Sequence, residues 1–71
     1  MKKVCVVTGG SSGIGLSIVK LFLAQEYQVF NLDITESTFG DFCPCDMTNV
    51  NDVSQIIANI AKQGTIDVLV S

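Results

Sequence analysis

Thr8-Gly9-Gly10-Ser11-Ser12-Gly13-Ile14-Gly15 joins two stretches of different periodicity. Before it, Lys3 to Val7 is a nearly continuous apolar run rich in β-branched residues, the pattern of a parallel strand covered on both faces. After it, Ile14, Ile18, Leu21 and Phe22 recur at helical spacing, with Ser17, Lys20, Gln25 and Glu26 at polar positions up to Tyr27. Strand, glycine turn and helix therefore follow one another directly. The backbone N–H groups of such a turn and the positive end of the helix dipole converge on one spot, which suits a pyrophosphate. Gly9 is expected to let the chain turn sharply, Gly13 to let backbone approach a ligand with no Cβ in the way, and Gly15 to let the helix pack close to the sheet. Ser11 and Ser12 add hydroxyl donors. The plainer alternative, a glycine-rich connection with no ligand, is disfavoured by the strand before it and the helix after it.

Working outward, Val29, Phe30 and Leu32 form a second strand that closes on Asp33, so residues 3–33 make one βαβ unit. Residues 34–40 hold Thr35, Glu36, Ser37, Thr38 and Gly40 and are expected to form a loop. A third strand around Phe42 to Cys45 contains Pro44, which cannot donate to a ladder and so assigns that strand to the sheet edge. Thr48 or Asn49 can cap the next helix, whose apolar residues Val50, Val53, Ile56, Ile57, Ile60 and Ala61 follow a helical period until Gly64. Ile66 to Val70 is the fourth strand. Right-handed crossovers then predict the order 3-2-1-4, with the switch point between strands 1 and 4 beside the glycine turn, where open α/β sheets bind ligands. The fold class is a partial, doubly wound parallel α/β sheet of Rossmann type.

Composition removes other functions. At 71 residues there is room for one compact unit, and 48% hydrophobic against 15% charged residues favours a packed interior over a disordered chain. Its apolar runs fall far short of the roughly 18 residues a membrane span needs, so no membrane partner is expected. The basic start Met1-Lys2-Lys3 lacks the apolar stretch and cleavage site of a signal peptide, and the mature chain is read as beginning at Met1. Cys5, Cys43 and Cys45 fit no disulfide framework, and without any His there is no metal-ligand pattern, so reduced thiols in the cytoplasm are expected. Seven acidic against four basic residues, a net charge of −3, argues against nucleic acid as a partner.

The glycine spacing separates this turn from two better-known phosphate motifs. The P-loop ends in Gly-Lys-Ser/Thr, whereas Gly15 is followed by Leu16, and Gly9, Gly13 and Gly15 do not fit Gly-x-Gly-x-x-Gly. Thr-Gly-x-x-x-Gly-x-Gly instead resembles the cofactor motif of the short-chain dehydrogenase/reductase family, with Thr8, Gly9, Gly13, Ile14 and Gly15 in register. Asp46-Met47-Thr48 resembles that family's Asp-hydrophobic-Thr segment, and Ile66 to Val70 resembles the strand before its Asn-Asn-Ala-Gly motif. The resemblance covers nearly the whole chain.

Asp33 stands about 20 residues beyond the turn, where a carboxylate can accept bonds from the adenosine ribose hydroxyls. A 2′-phosphate there meets a negative charge, and no Lys or Arg stands at Ser11, Ser12, Ile34 or Thr35 to offset it, so NAD is favoured over NADP. The plainer alternative for Asp33 is a solvated residue at a strand end. The resemblance implies that Asp46 bonds the adenine amino group, that Met47 offers its backbone to the ring, that Ile34 walls the adenine pocket, and that Gly9, Ile14 and Gly15 lie along the pyrophosphate and nicotinamide side. Asp46 can equally be a helix cap. Ser71 departs from the first Asn expected after the fourth strand, which leaves the ribose contact on the nicotinamide side unassigned.

In the family, hydride transfer resembles acid catalysis by a Tyr phenol with a Lys four residues later and a Ser on the substrate oxygen. Tyr27 is followed four residues on by Asn31, so no catalytic residue is assigned. The chain is expected to be the N-terminal part of a single dinucleotide-binding domain, a fragment of an oxidoreductase that moves hydride between NAD(H) and an alcohol or carbonyl substrate, inactive alone. A non-catalytic dinucleotide-binding or regulatory module is the alternative. A methyltransferase-like fold is a third reading, and the glycine spacing weighs against it. The resemblance further implies a small-molecule substrate chosen by segments after the fourth strand and a homo-oligomer of the full-length protein.

Overall fold

A computed structural model describes residues 2–71; Met1, where the sequence is read as beginning, lies outside them. The elements run β1 (Val4–Thr8), α1 (Gly13–Ala24), β2 (Gln28–Asp33), β3 (Asp41–Pro44), α2 (Val50–Gln63) and β4 (Val68–Val70). All pairings are parallel and the sheet order is β3-β2-β1-β4, as the crossover rule predicts.

The apolar run of β1 is explained by its place between two partners and two helical layers. Cys5 and Val7 pack on one face with Val19 of α1 and Val29 of β2, while Val6 packs on the other with Leu32, Cys45 and Ile60 of α2. Each fully buried Val or Leu contributes about 1.5–3 kcal/mol, so these few side chains dominate the apolar stabilisation of the sheet. β3 is the edge strand its Pro44 requires, and residues 34–40 form the expected loop. That loop is held to α1 by the Lys20 ammonium, 4.6 Å above the Phe39 ring.

Several boundaries and faces differ from expectation. The buried seam of α1 is Val19 with Ile18, Phe22 and Leu23, whereas Ile14 is 81% and Leu21 58% exposed. Leu21 lies about 200° around the helix from Val19 and so faces away, and Ile14 belongs to the first turn, beside the glycines. On α2, Val53, Ile56, Ile57 and Ile60 face the sheet, while Val50 and Ala61 are exposed. The helix α1 stops at Ala24, short of Tyr27, because Glu26 takes a left-handed φ of 65°. Glu26 N–H then bonds Leu23 O at 3.0 Å and Tyr27 N–H bonds Phe22 O at 3.0 Å, the Schellman pattern, with the Phe22 and Tyr27 rings edge to face at 4.9 Å. β4 is shorter than predicted. Ile66 packs into the second core and Asp67 docks on β1 before the ladder starts, its N–H donating to Val4 O at 2.9 Å and its carboxylate accepting from Val4 N–H at 2.8 Å.

Candidate functional site

The C-terminal ends of the strands bring the glycine turn, the tip of β2 and the segment after β3 to one edge of the sheet. Gly9 has φ 71° and its N–H donates to Leu32 O at 2.7 Å, extending the β1–β2 ladder by one bond before the chain turns away. Gly13 opens α1 with φ 57°, and nothing lies within 4 Å of where its Cβ would stand, so the space over the first helical turn is clear. A Cβ on Gly15 would run into the Gly9 carbonyl oxygen and come 3.2 Å from Gly10 Cα. The close approach Gly15 permits is thus to the backbone of the turn itself, where the sequence had placed it against the sheet.

Ser12 is the N-cap of α1, in extended conformation, with its hydroxyl making no bond to the helix and no acidic residue in the first turn. The first N–H groups of α1 therefore have neither a capping oxygen nor a carboxylate on them, an arrangement suited to an anionic ligand. Ser11 is occupied differently. Its N–H donates to Asp33 Oδ2 at 3.1 Å and its hydroxyl to Thr35 O, while Asn31 Nδ2 donates to Ser11 Oγ at 3.1 Å.

Asp33 ends β2 half-buried, with Oδ1 accepting from Ile34 N–H at 2.7 Å and Thr35 N–H at 3.3 Å. Desolvation works against its charge, but the backbone bonds from Ser11, Thr35 and Ile34 and the Ser11 hydroxyl outweigh it and hold the carboxyl below its ordinary pKa. Asp33 is therefore an anchored anion, a firmer role than that of a solvated strand end. Ile34, next to it, is 75% exposed.

Beyond β3, Asp46 makes a tight turn in which Oδ1 accepts from Thr48 N–H at 3.0 Å and Thr48 Oγ1 at 2.7 Å. The Thr48 hydroxyl, then its N–H, lowers the Asp46 pKa, against a smaller desolvation effect. The cap of α2 is Asn49, whose Oδ1 accepts from Asp52 N–H at 3.1 Å, and Asp52 in turn accepts from Asp46 N–H at 3.1 Å. Asp46 is exposed, while Met47 is half-buried against the second core. Burial, then Asp52 and Asp46, push the neighbouring Cys45 thiol up, and burial, Asp41 and Cys45 do the same to Cys43.

Gly10 and Asn31 were not singled out in the sequence. A Cβ on Gly10 would come within 2.5 Å of Asn31 Oδ1 and 2.7 Å of Val19 Cγ2, so this glycine admits a buried amide beneath the turn. The available signal was a polar residue interrupting the apolar alternation of β2. Tyr27 packs on Phe22 ahead of β2, at the opposite end of the sheet from the glycines. Open depressions of about 640 and 690 Å³ also lie at that opposite end, lined by Lys2 and Lys3 and away from the glycine turn. Among the described residues, no group of three or more His, Cys, Asp or Glu converges, and no helix is long and apolar enough to cross a membrane.

Residues 3–71 match the family model described as short chain dehydrogenase. The chain belongs to the short-chain dehydrogenase family. Among its relatives, (+)-borneol dehydrogenase 2 of Salvia officinalis is 38% identical over 82 residues, covering 97% of this chain and 29% of that protein. The 3-beta-hydroxysteroid dehydrogenase of Comamonas testosteroni is 35% identical over 80 residues, covering 97% and 32%. A C-terminal deletion mutant of Thermoplasma acidophilum aldohexose dehydrogenase has the same fold with a TM-score of 0.88 at 38% identity, covering 96% of this chain and 31% of that one. A short chain dehydrogenase from Leptospira borgpetersenii with bound NAD+ gives 0.81 at 26% identity, covering 97% and 30%. The chain thus spans between 29% and 32% of the length of these relatives.

Proposed function

We propose that this chain forms the adenosine and pyrophosphate side of an NAD site in an enzyme that moves hydride between NAD(H) and an alcohol or carbonyl substrate. The observation that carries the reading is a juxtaposition at one sheet edge: the open, acid-free first turn of α1 behind Gly13, and the Asp33 carboxylate held by three backbone N–H groups. The cradle fits the cofactor, because the space a Cβ on Gly13 would fill is clear and the helix N–H groups around it lack partners. In this reading Gly9 and Ser11 shape the turn, Ser12, Gly13, Ile14 and Gly15 face the pyrophosphate, and Asp33 accepts from the ribose diol. Ile34 walls the adenine, Asp46 takes its amino group, and Met47 lends backbone. When bound, the dinucleotide supplies or accepts the hydride.

The choice of NAD over NADP rests on Asp33. A 2′-phosphate beside that charge is repelled, and the Lys20 ammonium lies over Phe39 instead. The substrate class follows the named relatives, which are dehydrogenases. We assign no catalytic residue within 1–71, since Tyr27 lacks a Lys four residues on, and infer that these residues alone turn over no substrate. They are the N-terminal part of one dinucleotide-binding domain, and their three free cysteines suit a reducing cytoplasm. A non-catalytic module is the weaker reading, because the family model and the named relatives are dehydrogenases.

The test is a fluorescence titration of the protein that carries this chain with NADH and with NADPH. Saturable NADH binding is expected, with NADPH weaker. Asp33→Ala should weaken NADH roughly ten- to a hundredfold, the worth of a hydrogen bond to a charged group, and narrow the gap to NADPH. A folded protein that binds neither nucleotide refutes the reading.

A further inference from the structure

Asn31 is the buried polar side chain of the core, fully excluded from solvent, and it sits on the central part of the sheet opposite Val7 of β1. Its amide is only half satisfied: Nδ2 donates to Ser11 Oγ, but Oδ1 has no partner and lies against Gly10. A buried acceptor without a donor is destabilising, and an apolar residue here would avoid that cost. Gly10 must also lack a side chain for the amide to fit. Two residues that are unfavourable for stability thus combine to hold one hydroxyl.

That hydroxyl belongs to a residue whose donors are all committed inside the chain. Ser11 N–H goes to Asp33 Oδ2, and the hydroxyl proton goes to Thr35 O or to the Asp33 carboxylate beside it. At the tip of β2, Asp33 therefore presents acceptors to a ligand, while Ser11 has no donor left to offer. A ribose diol, which donates, finds a partner there; a 2′-phosphate meets the Asp33 charge and gains no donor from Ser11.

We propose that Asn31 is a positioning residue for cofactor choice: by holding Ser11 Oγ from beneath, it locks Ser11, Asp33 and Thr35 into an arrangement that accepts a free ribose diol and refuses a 2′-phosphate. This deepens, and rests on, the NAD reading above. Asn31 touches no cofactor in it; the selectivity is exerted through Ser11 and Asp33.

The test is the pair of dissociation constants for NADH and NADPH, measured by nucleotide fluorescence on the protein that carries this chain. Asn31→Leu removes the amide at similar size. Ser11→Ala breaks the same lock from the partly exposed side, where folding is not at stake. In both, the NADH dissociation constant should rise roughly three- to tenfold, as expected for one lost hydrogen bond, while that for NADPH does not rise. Combining the two substitutions should add little to either, because they break one lock. Equal weakening of both nucleotides in Ser11→Ala shows a purely structural role and overturns the proposal. An unsubstituted protein that itself favours NADPH overturns the NAD reading, and the proposal with it.

Discussion

Asp33 is where sequence position and local structure agree most closely. An acid at the end of the second strand is legible from the chain alone, but its three backbone N–H partners come from a turn 22 residues earlier and from the two residues after it. Those bonds make it sensitive to acid. Because its folded pKa is depressed, the stability it contributes is complete above the unfolded value of about 3.9 and is lost as pH falls through the lower folded value. Urea midpoints measured from pH 7 downward should therefore fall below about pH 4, and Asp33→Asn should flatten that part of the profile. An unchanged acid limb in the variant would show that the carboxylate is not anchored. Asn31 is the contrasting case. Nothing in its sequence neighbourhood says that its amide lies under Gly10, because the contact is made across strands.

Elements were read correctly where one residue type dictates the geometry. Pro44 requires an edge strand and Asn49 supplies a capping oxygen, and both stand where those requirements put them. Asn49→Ala should cost about 1 kcal/mol, seen as a lower urea midpoint, since it strips Asp52 N–H of its partner at the start of α2. A midpoint unchanged within error would mean that Asp52 and Asp46 hold the turn without it. The end of α1 was misjudged for a physical reason: the left-handed cap position is held by Glu26, which does not advertise the conformation as glycine would. The apolar seam of α1 was legible in part: Ile18 and Phe22 pack on the core as their spacing predicts, whereas Ile14 and Leu21 are exposed and Val19 and Leu23 complete the face over the strands.

At the scale of the molecule, the two sheet edges differ in character. β3 ends the sheet with Asp41 and Pro44, which discourage further pairing, whereas β4 presents Val68, Leu69 and Val70, with Leu69 54% exposed. Residues 1–71 expressed on their own should therefore self-associate as concentration rises in sedimentation velocity, and Leu69→Lys should reduce this. A peptide that stays monomeric at every concentration would show that the edge is protected. The sequence by itself determined the α/β class, the strand order and the family, because apolar periodicity, glycine spacing and crossover handedness are local or topological properties that need no coordinates. Only the tertiary structure decided that the donors of Ser11 are already committed, that Gly15 packs on the turn and that Gly10 makes room for Asn31. Those facts depend on which atoms from distant parts of the chain come within hydrogen-bonding or van der Waals reach, and no sequence spacing encodes a distance between strands.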